Sequence, residues 1–271
     1  MILSKEDYEQ MRRMLNNSLV LRRMFERILN TPNGSKMFSI VSKTWNPVTG
    51  CLHRCRYCWA RRLAETKLKN SYRYRKGFVP RLNENELKAK FSEGDFVFVS
   101  DMGDLFGGFI PREWILKILL HIKKFPKTYF LFLTKNPVRY AECIDEFPEN
   151  VILGTTIETD RDDIYLNHRI SEAPLPSVRY EAFKSIKWSK KFVAIEPILD
   201  FNLDRFSKWI KDIMPIIVYV GYDNYNNRLP EPPLSKTLEL IKRLSEVTLT
   251  VKKTIRPAWY ELLDQSSLGG E

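Results

Sequence analysis

The sequence predicts an α/β fold, a partial (β/α)6 TIM-like barrel of parallel strands with an N-terminal helical extension. Three observations carry this. Short, near-continuous apolar runs alternate with amphipathic stretches, as expected of parallel strands buried on both faces. There are seven such runs, close to the eight of a closed barrel. Polar residues stand just past the carboxyl ends of the runs, where such folds keep their chemistry. An open doubly wound sheet is the rival arrangement.

Taken in order, residues 5–30 read as one helix or two, with apolar residues at Met11, Met14, Leu15, Leu19, Leu21, Met24, Phe25 and Leu29. "NTPNGS" at 30–35 is a turn-rich break. The strand runs are "MFSIVS" (37–42), "FVFVS" (96–100), "YFLFLT" (129–134), "VILGTTI" (151–157), "FVAIEPI" (192–198), "IIVYVG" (216–221) and "TLTVKK" (248–253). Helix-like stretches separate them: "PREWILKILLHIKKF" (111–125), with Pro111 suited to a first helical turn, "PSVRYEAFKSIKW" (176–188) and "LSKTLELIKRLSEV" (234–247). Strand–helix alternation implies right-handed crossovers between parallel strands. The chain therefore divides into a helical extension (1–36), a barrel (37–263) and a flexible tail (264–271).

With 271 residues, 44% of them hydrophobic, the chain can bury a large core. No apolar run approaches the length that spans a bilayer, and the start of the sequence lacks a signal-peptide pattern, so a cytoplasmic protein without a membrane partner is expected. Four cysteines, three of them crowded together, do not form a secreted disulfide framework. The net charge is +11, and residues 51–90 alone hold twelve Lys and Arg against three acids. A basic excess of this kind is either a solvated surface or a polyanion footprint; its position around the cysteines favours the second.

At the predicted strand ends stand "KTWNPVTGC", Asp101 and Asp104, Thr134 and Lys135, Glu158 and Thr159, Glu196, and Tyr222 with Asp223 and Asn224. Glu196 is the most telling, because an unpaired charge inside an apolar strand is costly. Cys51, Cys55 and Cys58 lie within eight positions of one loop. Three soft thiolates suit zinc with a fourth ligand, for which His53 is available, or an iron–sulfur cluster with one iron left open. Cys143, in "PVRYAECIDEF", reads as a buried core thiol.

The cysteine spacing, with Tyr57 before the last cysteine, resembles the radical S-adenosylmethionine superfamily. More narrowly, "TWNPVTGC", "FVSDMGDLF", "FLTKNPVRY", "AIEPIL" and a late "VKK" resemble an uncharacterised phage- and prophage-associated family of radical S-adenosylmethionine-like proteins, over residues 38–255. Two features depart from that family: its first two cysteines are often further apart, and the helical segment before residue 37 is additional. The resemblance implies a 4Fe-4S cluster on Cys51, Cys55 and Cys58, the open iron chelating S-adenosylmethionine. It implies that Asp101 or Asp104 holds the cofactor's amino group, Glu158 its ribose, Arg169 its carboxylate and the backbone around Tyr57 its adenine, with Glu196 on the same rim. An external one-electron reductant is then required.

For the substrate, arginines and lysines that meet phosphate are interleaved with aromatics that stack on bases. Arg56, Arg61, Arg62, Arg73, Arg75 and Lys76 are the expected nucleic-acid contacts, densest in "SYRYRKGFVPR" (71–81). A radical enzyme modifying or repairing DNA or RNA is the leading expectation. A radical enzyme on a small phosphorylated metabolite and a non-enzymatic metal-containing nucleic-acid-binding module stay open beside it.

Overall fold

The computed structural model describes residues 19–30 and 37–262. In chain order these form helix α1 (Leu19–Asn30), strands β1 (Lys43–Trp45) and β2 (Val48–Thr49), helix α2 (Trp59–Glu65), and strands β3 (Arg81–Leu82) and β4 (Phe96–Val99). Then come α3 (Arg112–Ile122), β5 (Tyr129–Thr134), β6 (Val151–Thr156), α4 (Asp162–Asn167), α5 (Pro176–Ser185) and β7 (Lys191–Ile195). The chain continues through α6 (Leu203–Ile213), β8 (Ile217–Val220), α7 (Leu234–Ser245) and β9 (Leu249–Lys252). The expected tail, 264–271, and the first part of the expected N-terminal helix lie outside the described residues.

One seven-stranded sheet runs β1-β4-β5-β6-β7-β8-β9, with every neighbouring pair parallel. β1 and β9 are its edges, so the barrel is partial. Period-two alternation divides the side chains into two layers. Val97, Phe130, Phe132, Val193 and Val218 pack outward under the helices. Phe96, Phe98, Leu131, Phe192 and Tyr219 point into the curve of the sheet, where Met24 and Phe25 of α1 join them with Phe38 and Ile40. The interior is thus filled from the N-terminal extension as well as from the strands.

α1 closes the bottom of the barrel. Arg27 Nε donates to the Ile40 carbonyl at 2.6 Å, and the Arg23 guanidinium lies 5.9 Å from the centre of the Tyr129 ring, at the start of β5. This corrects the reading of 37–42 as the first strand. Phe38 and Ile40 are buried because they plug the barrel, and the Tyr219 hydroxyl fixes the turn by accepting from the Ile40 amide at 3.2 Å and bonding Ser39 Oγ at 2.9 Å. The strand itself begins at Lys43 and pairs with β4. Cys143 is a buried core residue, as expected, although its segment, Pro137–Glu146, is a kinked 3-10 turn. Among the described residues no helix is long and apolar enough to cross a membrane.

Candidate active site

The carboxyl ends of the strands open on a cavity of about 410 Å3. Cys51, Cys55, Tyr57 and Cys58 border it from the loop after β1, Asp101 and Asp104 from the loop after β4, and Lys135 from the end of β5. Glu196, Asn224 and Lys253 border it from the ends of β7, β8 and β9, and Phe38 lies beneath.

Local packing explains the sequence signatures around the cysteine loop. Gly50 has φ +87°, and a Cβ there would stand 2.0 Å from the Val79 carbonyl oxygen, so only glycine fits. Gly103 of "SDMGD" approaches so closely that its Cβ would stand 3.0 Å from the Gly50 oxygen. Asn46 of "TWNP" donates to Asp101 Oδ1 at 2.6 Å and accepts from the Met102 amide at 3.0 Å, tying β1 to the loop after β4. Asp104 is buried and saturated. It meets His53 Nε2 at 3.1 Å and accepts from Thr134 Oγ1 at 2.6 Å and from the amides of Lys135 and Phe106 at 2.9 and 3.1 Å.

Backbone amides point at two of the three sulfurs: His53 N donates to Cys51 Sγ at 3.4 Å, and Arg61 N donates to Cys58 Sγ at 3.3 Å, capping α2. Cys55 Sγ lies 3.1 Å from Ser171 Oγ. Burial pushes the Cys51 and Cys55 thiols up, and Asp104 adds to the rise at Cys51. Among the described residues no three His, Cys, Asp or Glu side chains are arranged to hold a single metal ion. His53 is turned to Asp104 and stacks edge-on against Phe109, 5.1 Å between ring centres. Three thiols of one loop, two of them met by backbone N–H groups, suit the thiolates of a cluster, which take such hydrogen bonds at sulfur, whereas His53, the fourth ligand a zinc ion would need, is bonded to Asp104.

Glu158 lies behind the cavity wall. Its side chain has no exposed surface and pairs with Arg179, equally buried, at 2.8 Å. Lys135 Nζ and the Tyr57 hydroxyl also donate to it. Burial acts to raise its pKa, but Arg179 and Lys135 outweigh burial and hold the carboxyl at about 2. Across the cavity, Glu196 accepts from Lys253 Nζ at 2.7 Å and from Asn224 Nδ2 at 3.3 Å, so the charge singled out in its strand is paired.

The expected site residues therefore divide. Cys51, Cys55, Cys58, Tyr57, Asp101, Asp104 and Glu196 come together at the cavity. Glu158 does not reach it with a free oxygen, because all its partners are internal, and Arg169 is exposed on the turn after α4, away from the cavity lining. Lys135 and Lys253 line the cavity and received no role from the sequence. Position just past a strand end, in "LTK" and "VKK", was the signal available for both. Arg179 gave no such signal, since it lies within an amphipathic helix.

Of the basic residues expected to meet nucleic acid, Arg56, Arg62, Arg75 and Lys76 are exposed. Arg61 and Arg73 are half-buried and serve the loop: Arg61 Nη2 donates to the Cys51 carbonyl at 3.2 Å, and Arg73 pairs with Glu86. Arg62 reaches across to the loop after β8, donating to Asn227 Oδ1 at 3.0 Å.

No curated protein matches the sequence. Among solved structures, spore photoproduct lyase complexed with dinucleoside spore photoproduct is similar at a TM-score of 0.51 and 12% identity, over 90% of this chain and 79% of that one. A double mutant of spore photoproduct lyase with bound AdoMet and dinucleoside spore photoproduct gives 0.50 and 12% over the same shares. A cysteine-to-alanine mutant with the dinucleoside gives 0.50 and 13%, over 76% of this chain but 61% of that one, so the chain spans under two thirds of that match's length. The likeness is one of fold. The family model described as protein of unknown function (DUF5131) matches residues 36–218, about two thirds of the sequence, and the chain belongs to that family.

Proposed function

We propose that this protein is a radical S-adenosylmethionine enzyme that modifies or repairs nucleic acid, with Cys51, Cys55 and Cys58 as ligands of a 4Fe-4S cluster. One observation carries the reading: three cysteines of a single loop border the same cavity as Asp101, Lys135 and Glu196, at the carboxyl rim of a partial barrel. When bound, the cluster and S-adenosylmethionine supply a 5′-deoxyadenosyl radical that takes a hydrogen atom from a substrate.

The chain's own residues do the positioning. Cys51, Cys55 and Cys58 would hold the cluster, and with only three thiolates in the loop one iron would stay available to the amino and carboxylate groups of the cofactor. Asp101 suits the N–H donors of that amino group, since its carboxyl is half-buried at the cavity and bonded to Asn46 through Oδ1. Lys135 suits the carboxylate, the role first given to Arg169, because it lines the cavity with its ammonium bonded to Glu158 at the wall. Tyr57, whose hydroxyl is tied to Glu158, keeps the backbone before Cys58 in place for the adenine. Met37, Phe38 and Leu133 give the cavity an apolar side that excludes water from a reactive intermediate. Glu196, Lys253 and Asn224 form a polar wall of the same cavity.

Nucleic acid is supported by the basic excess around the cysteines and by the fold neighbours, spore photoproduct lyase structures holding a dinucleoside spore photoproduct. Anaerobic reconstitution with iron and sulfide, then dithionite and S-adenosylmethionine with and without oligonucleotide, tests the reading. Release of 5′-deoxyadenosine, stimulated by DNA or RNA, is the expected result. A full cluster that yields none with any nucleic acid would overturn it.

A further inference from the structure

We infer that residues 71–82 form a phosphate clamp that holds the backbone of a polynucleotide beside the cavity, so that the substrate is a polymer occupying two adjoining sites. This rests on the nucleic-acid reading and adds where the strand lies.

Tyr72 is 67% exposed, a large aromatic ring left in solvent. Two guanidinium groups converge on it: the Arg75 carbon lies 4.9 Å from the ring centre and the Arg81 carbon 4.3 Å. Arg81 also donates to the Tyr72 carbonyl at 2.6 Å, which fixes the ring and guanidinium together. The ring attracts each cation, yet the two cations repel one another. Among the described residues neither meets a carboxylate, and exposed Lys76 beside them meets none either. An anion bound beside them would offset the repulsion, and a phosphodiester matches the planar fork of arginine.

The neighbouring basic residues behave differently. Arg73 pairs with Glu86, and Lys117 with Glu84 at 3.6 Å. They hold the walls of a groove of about 490 Å3 whose other lining includes Lys76, Val79, Arg81 and half-buried Trp114. The unneutralised charge of the segment is thus concentrated at Arg75, Lys76 and Arg81.

The groove and the cavity share a wall. Phe78 lines the cavity and Val79, the next residue, lines the groove. The Phe78 carbonyl accepts from the Cys51 amide at 3.1 Å, and β3 pairs Arg81 with Thr49, two residues before that cysteine. A strand held by its phosphates at Arg75 and Arg81 therefore runs along the outer side of the cysteine loop, one residue's width from the cavity. Phosphate contacts set register without reading sequence. Discrimination of the target then falls to the cavity, and a mononucleotide, which cannot fill both sites, is a poor substrate.

The test is fluorescence anisotropy of the reconstituted protein with a fluorescein-labelled oligonucleotide of mixed sequence, single-stranded and duplex, over a salt series. Arg75→Ala/Arg81→Ala is expected to weaken binding at least tenfold. It is expected to lower the slope of log K against log salt by about 1.4 for a single strand and about 1.8 for a duplex, at roughly 0.7 and 0.9 per phosphate. Arg75→Lys/Arg81→Lys is expected to keep most of the slope, with iron content equal to wild type. Wild-type binding that the alanine pair leaves unchanged overturns the clamp while the nucleic-acid reading stands. A lysine pair that loses the slope as fully as the alanine pair overturns the clamp too. Wild-type protein that binds neither strand form removes both.

Discussion

The Glu158 carboxylate and the Arg179 guanidinium face each other at 2.8 Å with no exposed surface on either side chain. This pair anchors α5 beneath the cavity, and Lys135 and Tyr57, which both line the cavity, lean on the same carboxylate. A charge removed from such a pair leaves its partner buried and uncompensated, at a cost of about 3–5 kcal/mol. Glu158→Gln is therefore expected to destabilise the protein by that order. Because the folded carboxyl is held at about 2, below its ordinary 4.5, its contribution is complete above pH 4.5 and disappears as the pH falls towards 2. Urea unfolding of wild type and variant across that range should show the difference narrowing on acidification. A gap independent of pH would mean that the charge is not what stabilises.

The same carboxylate shows what a sequence can and cannot reveal. Near-continuous apolar runs located six of the seven sheet strands, because burial on both faces leaves no polar alternation. The exception, 37–42, is apolar for another reason, since Phe38 and Ile40 plug the barrel from inside. Strand ends likewise identified the rim, including Glu158. They could not say what stands behind the rim. Arg169, in a short loop, looked available to a ligand, whereas Arg179, one turn into an amphipathic helix, carried no signal at all. Tertiary packing reverses these roles, burying Arg179 against Glu158 and leaving Arg169 in solvent.

The cysteine loop makes a prediction about iron-free protein. Burial raises the Cys51 and Cys55 pKa values, so both are neutral thiols at pH 7 and poor nucleophiles. Slow alkylation by iodoacetamide is expected at these positions, speeding up on unfolding, with complete protection after loading with iron and sulfide. Mass spectrometry of the digested protein measures each site separately. Cys55→Ala should lose the brown colour of the cluster and all cleavage of S-adenosylmethionine while its circular dichroism stays that of wild type. Rapid alkylation of folded, iron-free protein would show that these cavity-lining sulfurs are thiolates and not the neutral thiols expected.

Gly50 offers a steric test of how the loop is held. A methyl group at this position meets the Val79 carbonyl oxygen at 2.0 Å, with φ at +87°, and the obstructing atom is backbone that cannot rotate away. Gly50→Ala is expected to cost at least about 1–3 kcal/mol, the usual range for overpacking, with left-handed strain added. Displacing Val79 also displaces Phe78 and its bond to the Cys51 amide, so iron retention should fall together with stability. Gly77→Ala is a control for backbone strain alone, because its φ is +85° but nothing lies within 4 Å of the added Cβ. Equal iron loss in both variants would show that strain, not collision, disturbs the loop.

Asp101 and Asp104 were interchangeable candidates for the cofactor's ammonium, and their surroundings now separate them. Asp104 accepts hydrogen bonds from Thr134 and two backbone amides and meets His53, so both oxygens are committed to joining the β4 loop to β5 and to the cysteine loop. Burial would raise its carboxyl, but His53, Thr134 and the Lys135 amide hold it below the ordinary carboxylate range. Asp104→Asn turns an amide group towards donors and should destabilise the protein by about 1–3 kcal/mol, the penalty for a buried polar group left unsatisfied. Asp101 has its Asn46 bond and an open side towards the cavity, and burial raises its pKa. Asp101→Asn should keep stability and iron content and instead weaken S-adenosylmethionine binding, about tenfold for one charge-assisted hydrogen bond. The raised pKa adds a signature: the amino N–H groups are best met by the ionised carboxylate, so wild-type affinity should decline on acidification before an ordinary aspartate would protonate, and the variant should lose that decline. Calorimetric titration of both variants against pH decides the assignment. Reversed behaviour, with Asp104→Asn stable but unable to bind, would make Asp104 the cofactor ligand.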